Sequence, residues 1–251
     1  MLRIWRTCIV DWGAPHSTGR NGNFRSGSKL CEASPIYSNR ARQLETTVLR
    51  NLLVLTASSM LAIPAAAQKP LQTAYFAGGC FWGVEAVFEH VKGVTNVVSG
   101  YAGGTVVKPD YESVSSGRTG HAEAVRVVFD PAVVSYETLL QVFFSVAHNP
   151  TELNRQGPDV GTQYRSAVFF ANPEQQQATT AFIAKLTRDK TFSRPIVTQV
   201  ASLASFYEAE SYHQNYLVSH TTQPYIVYND LPKLDDLQKR YPALWTDKPS
   251  K

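Results

Sequence analysis

The sequence predicts an α+β fold: a mixed sheet with helices packed on it, roughly a two-layer sandwich. Three observations predict it. Strand-like segments alternate with amphipathic helix patterns from Thr73 to Tyr241. The segment His121–Phe129 alternates with period two, as a half-buried strand does. No internal repeat and no second core is visible in the 251 residues, a length that suits one or two domains.

The N-terminal part is set apart by charge. Residues 1–67 carry 8 Lys and Arg against 3 Asp and Glu, whereas residues 68–251 carry 16 against 17. The net charge of +4 therefore comes from the leader, and the body offers no electrostatic case for nucleic acid or an anionic membrane. Residues 49–67 read as a signal peptide: Arg50, an apolar run from Asn51 to Ile63, and Ala65-Ala66-Ala67 as a small-residue cleavage site. The run is too short and too broken by Ser and Thr for a membrane span. Residues 1–48 are rich in Arg, Ser and Asn without apolar periodicity, which predicts a disordered or untranslated leader and a start at Val48 or Leu49. An organelle transit peptide is the rival reading. Export, to the periplasm, is the expected localisation. Residues 68–251 then form the catalytic domain, with Cys80 as its single cysteine, since Cys8 and Cys31 belong to the leader. Such a thiol is free or bonded between molecules.

The body opens with a strand, Thr73–Ala77, that turns through Gly78-Gly79 into a helix beginning around Cys80. Free N–H groups and the helix dipole favour an anion there, so the thiol is expected to ionise more easily. A buried inert cysteine is the competing reading. Phe81, Val84, Val87, Phe88 and Val91 form the core stripe, while Trp82 falls with Glu85 and Glu89 on the other side, a wall for something that binds.

Val94–Tyr101 reads as a strand and Tyr111–Gly120 as a polar loop. In the next strand Glu123 shares a face with Val125, Val127 and Phe129. A carboxyl there is either ion-paired or a general acid whose neutral form burial favours. Ser135 caps a helix to about Ala147; Asn149–Gln163 is a long polar loop. Ser166–Ala171 is a strand, and Asn172-Pro173 starts a helix to about Lys190. A strand at Ile196–Leu203, a helix at Phe206–His220 and a last helix at Asp230–Tyr241 complete the chain. The glycines around Cys80 lack dinucleotide-binding spacing, and one Cys with scattered His makes no metal site.

Four motifs, Gly79-Cys80-Phe81-Trp82-Gly83, Gly117-Arg118-Thr119-Gly120-His121-Ala122-Glu123, Gly161-Thr162-Gln163-Tyr164-Arg165-Ser166 and Tyr212-His213-Gln214-Asn215-Tyr216, stand in one order along the chain. Together they resemble the peptide methionine-S-sulfoxide reductases (MsrA), over roughly residues 72 to 240. The resemblance implies a ferredoxin-like α/β sandwich. It implies Cys80 as the nucleophile that becomes a sulfenic acid, Glu123 as the acid facing the sulfoxide oxygen, and Tyr111 and Tyr164 as the tyrosines that hold that oxygen. Phe81 and Trp82 would line the methyl pocket, with Asp159 and His213 in support. The substrate would be methionine sulfoxide, free or in proteins, with no metal or organic cofactor, and the enzyme a monomer. Many relatives carry resolving cysteines; here no Cys follows Cys80 and Ser115 stands where some have one. Recycling by a thioredoxin-like protein, a glutaredoxin or a small thiol is expected. A different cysteine reaction with His213 as base, or a binding module docking ligands on Phe81 and Trp82, are the alternatives.

Overall fold

The computed structural model describes residues 70–250. The leader, the signal peptide, Cys8 and Cys31 lie outside the described residues. In chain order the elements are β1 (Gln72–Gly78), α1 (Phe81–Glu89), β2 (Val94–Ala102), α2 (Tyr111–Ser115), β3 (Ala122–Phe129) and α3 (Tyr136–Val142). There follow β4 (Arg155–Gln156), β5 (Asp159–Val160), β6 (Ser166–Phe170), α4 (Pro173–Arg188), β7 (Gln199–Ser202), β8 (Phe206–Glu208), α5 (Tyr216–Ser219) and α6 (Leu231–Arg240). Among the described residues no helix is long and apolar enough to cross a membrane.

Six strands make one sheet in the order β7-β6-β1-β3-β2-β8. Only the β6–β7 pairing is parallel; the others are antiparallel, so the sheet is mixed. Without its two outer strands the sheet reads β6-β1-β3-β2, built from β1-α1-β2 and β3-α3-β6. This is the split β-α-β arrangement of ferredoxin-like folds, as expected.

The period of two sorts the strand residues between two environments. Phe76, Val125, Val127 and Phe129 pack with Phe81, Val84, Phe88, Leu140 and Phe143 in the main core between sheet and helices. The opposite face is lined by Ala77, Ala102, Ala122, Ala124 and Ala167, whose small side chains let Phe169 and Phe206 lie against the sheet. Ser135 and Asn172 cap α3 and α4, each accepting the N–H of the residue three positions on, as their sequence contexts predict.

Three local expectations are corrected. The segment Phe206–His220 is not one helix. Phe206–Glu208 extends the sheet beside β2, and Asn215 adopts a left-handed conformation (φ 53°) that interrupts helical backbone before α5. The polar stretch after Asp110 contains the short helix α2, fixed by reciprocal hydrogen bonds between Asp110 and Ser113. Glu85 and Glu89, read as the outer face of α1, are both buried. The chain beyond residue 208 folds back over that face, and Glu85 Oε2 accepts the Asn215 N–H at 3.0 Å.

Candidate active site

The site is built where β1 hands over to α1. Gly79 takes φ +92°, and a Cβ there would lie 2.6 Å from the side chain of Gln156, so the turn demands glycine on both counts. Cys80 is the N-cap of α1 and a buried free thiol. Position favours an anion, as expected, and the Trp82 backbone N–H favours the thiolate, although Cys80 makes no side-chain capping hydrogen bond. The expected ease of ionisation is nevertheless reversed. Burial, then the carboxyls of Glu123 and Asp230, push the thiol well above its ordinary range and outweigh the Trp82 N–H and the Lys233 ammonium. The resting residue is a thiol held close to groups that act on it.

Glu123 reaches the same point from the sheet. It lies opposite Tyr101 in the β2–β3 ladder, on the face that packs against the helices. Its Oε2 accepts the Phe81 N–H, the first free donor of α1, at 3.0 Å. Burial pushes its pKa up to about 8, with Asp159 adding in the same direction and the Phe81 N–H opposing. At neutral pH the carboxyl therefore holds its proton.

Two phenols share this field. Tyr111 opens α2, its backbone N–H donating to Glu210 Oε1 at 2.9 Å, and Glu210 Oε2 accepts from Tyr101 Oη at 2.9 Å. Burial and the proximity of Glu123 push the Tyr111 phenol up to about 12 and raise Tyr164 as well, so both remain donors. The structure thus brings Cys80, Glu123, Tyr111 and Tyr164 into one electrostatic cluster.

The aromatic side is held by His213. Trp82 Nε1 donates to His213 Nδ1 at 3.1 Å, and the indole stacks on Tyr216 at 3.8 Å between centroids. An indole N–H only donates, so Nδ1 is the acceptor and Nε2 carries the proton. Burial lowers the His213 pKa, consistent with a neutral ring. The ring also lies 5.1 Å from Phe81 and 4.3 Å from Tyr111, and its Nε2 has no partner in the protein. Asp159, half-buried at the start of β5, accepts from Tyr225 Oη at 2.5 Å.

Sequence reasoning missed the contribution of the C-terminal segment. Tyr225, Asn229 and Lys233 join Cys80, Gln156 and Asp159 around a cavity of about 80 Å³. Asp230 is fully buried and accepts from Lys233 Nζ at 3.1 Å. The one signal for them is the i, i+3 spacing of Asp230 and Lys233, which more often marks a solvated surface pair. Among the described residues no cluster of three or more His, Cys, Asp or Glu is arranged to hold a metal.

Residues 72–244 match the family model described as peptide methionine sulfoxide reductase. The chain belongs to this family. It is 56% identical over 178 residues to a peptide methionine sulfoxide reductase MsrA 2 of Mesorhizobium japonicum, covering 71% of this chain and 91% of that protein. It is 52% identical to the MsrA of Deinococcus radiodurans, covering 71% of this chain and 84% of that one. The solved methionine sulfoxide reductase A of Corynebacterium diphtheriae superposes with a TM-score of 0.54 at 36% identity, covering 62% of this chain and 77% of that chain. The chain is therefore an oxidoreductase of the MsrA kind, and the buried thiol–carboxyl pair is read in that light. Among the described residues of this methionine sulfoxide reductase Cys80 is the only cysteine.

Proposed function

We propose that the enzyme reduces methionine-S-sulfoxide, free or in proteins, to methionine through a sulfenic acid on Cys80, and that an external thiol returns the enzyme to its resting state. The observation that carries this reading is the protonated Glu123 carboxyl seated on the Phe81 N–H, beside the Cys80 thiol. A sulfoxide oxygen leaves sulfur only when it is protonated or strongly hydrogen-bonded, and a carboxylic acid neutral at pH 7 supplies that proton. Tyr111 and Tyr164 add donors to the same oxygen. Phe81 and Trp82 hold the methyl group, and fixing methyl and oxygen together on a chiral sulfur selects one epimer.

The balance is simple. Cys80 Sγ attacks the sulfoxide sulfur, and the oxygen passes to Sγ. The substrate S–O bond breaks, an S–O bond forms on Cys80, the substrate sulfur gains two electrons and Cys80 loses two. A first thiol then condenses with the sulfenic acid, releasing water and leaving a mixed disulfide. A second thiol attacks that bond, freeing Cys80 and an external disulfide. A thioredoxin-like protein, which carries both thiols, or two small thiol molecules meet the requirement.

Export and repair of oxidised proteins in the periplasm complete the proposal, on the signal-peptide pattern of residues 49–67. The test of the activity is dithiothreitol-driven reduction of peptides bearing pure S or pure R sulfoxide by the wild type and by Cys80→Ser. Turnover of the S epimer alone, lost in the variant, is expected; equal turnover of both epimers, or turnover by Cys80→Ser, would overturn it.

A further inference from the structure

The start of α6 contributes a charged pair whose place is not explained by packing. Asp230 and Lys233 stand at the N-cap and third position of that helix, joined at 3.1 Å. They rest on the bare backbone of Gly83 in the first turn of α1: a Cβ there would lie 2.0 Å from Asp230 Oδ1 and 2.8 Å from Lys233 Nζ. A fully buried carboxylate is unfavourable unless it is used, and Asp230 Oδ2 has no partner in the protein. Lys233 is mostly buried and lines the same small cavity as the Cys80 thiol.

Every other ionisable group that faces Cys80 among the described residues is an acid or neutral. Glu123 comes from β3, Tyr111 from α2 and Tyr164 from the turn before β6, while Tyr225 and Asp159 close the cavity. His148, whose ring lies under Gly78, is held neutral by burial. Both events that place negative charge on Cys80 Sγ, ionisation of the thiol before it attacks the sulfoxide and release of Cys80 from the mixed disulfide, therefore need a cation that these groups do not supply.

We propose that Lys233, oriented by Asp230 over Gly83, is the positioning residue that balances the Cys80 thiolate. The proposal rests on the reading of Cys80 as the nucleophile. In the recycling step the Cys80–sulfur bond to the external thiol breaks, its electron pair goes to Cys80 Sγ, and the second thiol takes the released sulfur. The ammonium stabilises that leaving thiolate, and a lower effective thiol pKa makes it leave faster.

The test is the pH dependence of Cys80 alkylation by iodoacetamide in the full chain, followed on the Cys80 peptide by mass spectrometry. Lys233→Met is expected to move the midpoint up by about one pH unit, so that labelling at pH 7 is roughly tenfold slower. Lys233→Arg, which keeps the charge, is expected to restore most of the wild-type profile, and Lys233→Gln replaces the Met variant if that one does not fold. Profiles of the Met or Gln variant that overlie the wild type would overturn the proposal. Alkylation is read without any sulfoxide, so a shifted profile in an enzyme that reduces no sulfoxide would sink the proposed activity and leave the role of Lys233 standing.

Discussion

The Phe81 backbone N–H donates to Glu123 Oε2 at 3.0 Å, which ties the first turn of α1 to the middle of the sheet and sets the carboxyl beside Cys80. Burial keeps this carboxyl protonated up to about pH 8. Glu123→Gln keeps a donor and the shape but removes the transferable proton. We expect the rate of methionine formation to fall by about 10²–10³-fold, within the range for loss of a general acid. In the wild type the acid form is present below about pH 8 and lost above it, so the rate should fall on that alkaline side, and the fall should vanish in Glu123→Gln. Single-turnover rates from pH 6 to pH 10 check both.

Trp82 packs on the edge of the core and is oriented by the His213 hydrogen bond and the stack on Tyr216. Trp82→Phe removes the 3.1 Å hydrogen bond to His213 Nδ1 and leaves a buried ring nitrogen without a donor. The expected cost is about 1–3 kcal/mol of stability. On the proposed reading, in which the indole orients the substrate and takes no part in proton transfer, KM should rise more than kcat falls. Urea denaturation beside steady-state kinetics separates the two effects.

Gln214 acts as a substitute strand. Its Oε1 accepts the Ser99 N–H at 2.9 Å, and its Nε2 donates to Ser99 O at 3.0 Å and Ala209 O at 2.9 Å. It thereby holds the His213 segment against β2. Gln214→Ala should destabilise the protein by about 2 kcal/mol and loosen Trp82 with it. The urea midpoint and tryptophan fluorescence report these changes.

The buried carboxyls also predict a stability profile. Burial pushes Glu85 and Glu123 up to about 8 and Glu89 up to about 7. Between the ordinary carboxylate range and those values the folded state holds protons that the unfolded chain releases. The contribution of these carboxyls should therefore be full below about pH 4.5 and decline as pH rises to about 8, against the opposite and smaller trend from buried His148. Glu85→Gln and Glu89→Gln should each flatten the decline, measured as the urea midpoint at four pH values.

Much of this was legible in the sequence, and the failures have physical reasons. Alternation along His121–Phe129 revealed both the strand and the face of Glu123, because period two is set by the backbone itself. Glycines before an amphipathic helix placed Cys80 at a helix start. Glu85 and Glu89 were misread because helical periodicity reports which side a residue faces, not what a segment some 130 positions later lays over it. The spacing of Tyr216, Leu217 and His220 marked the true helix α5, but the helix expected from Phe206 did not form, because β2 offered an open edge to Phe206–Glu208 and pairing there outweighed local pattern. The rise in the Cys80 pKa was invisible for the same reason, since it comes first from burial and then from Glu123 and Asp230, all supplied by elements distant in sequence.

The most direct test of the central claim is a single turnover without reductant, using the full chain with Cys8→Ser and Cys31→Ser. Methionine-S-sulfoxide peptide is supplied in excess, and both methionine and the intact protein mass are followed. One methionine per chain is expected, with one added oxygen atom at Cys80, and dimedone added to a parallel sample should convert that sulfenic acid to a thioether adduct on the Cys80 peptide. Methionine formed with no oxygen on Cys80, or an unmodified protein with no methionine, would contradict it.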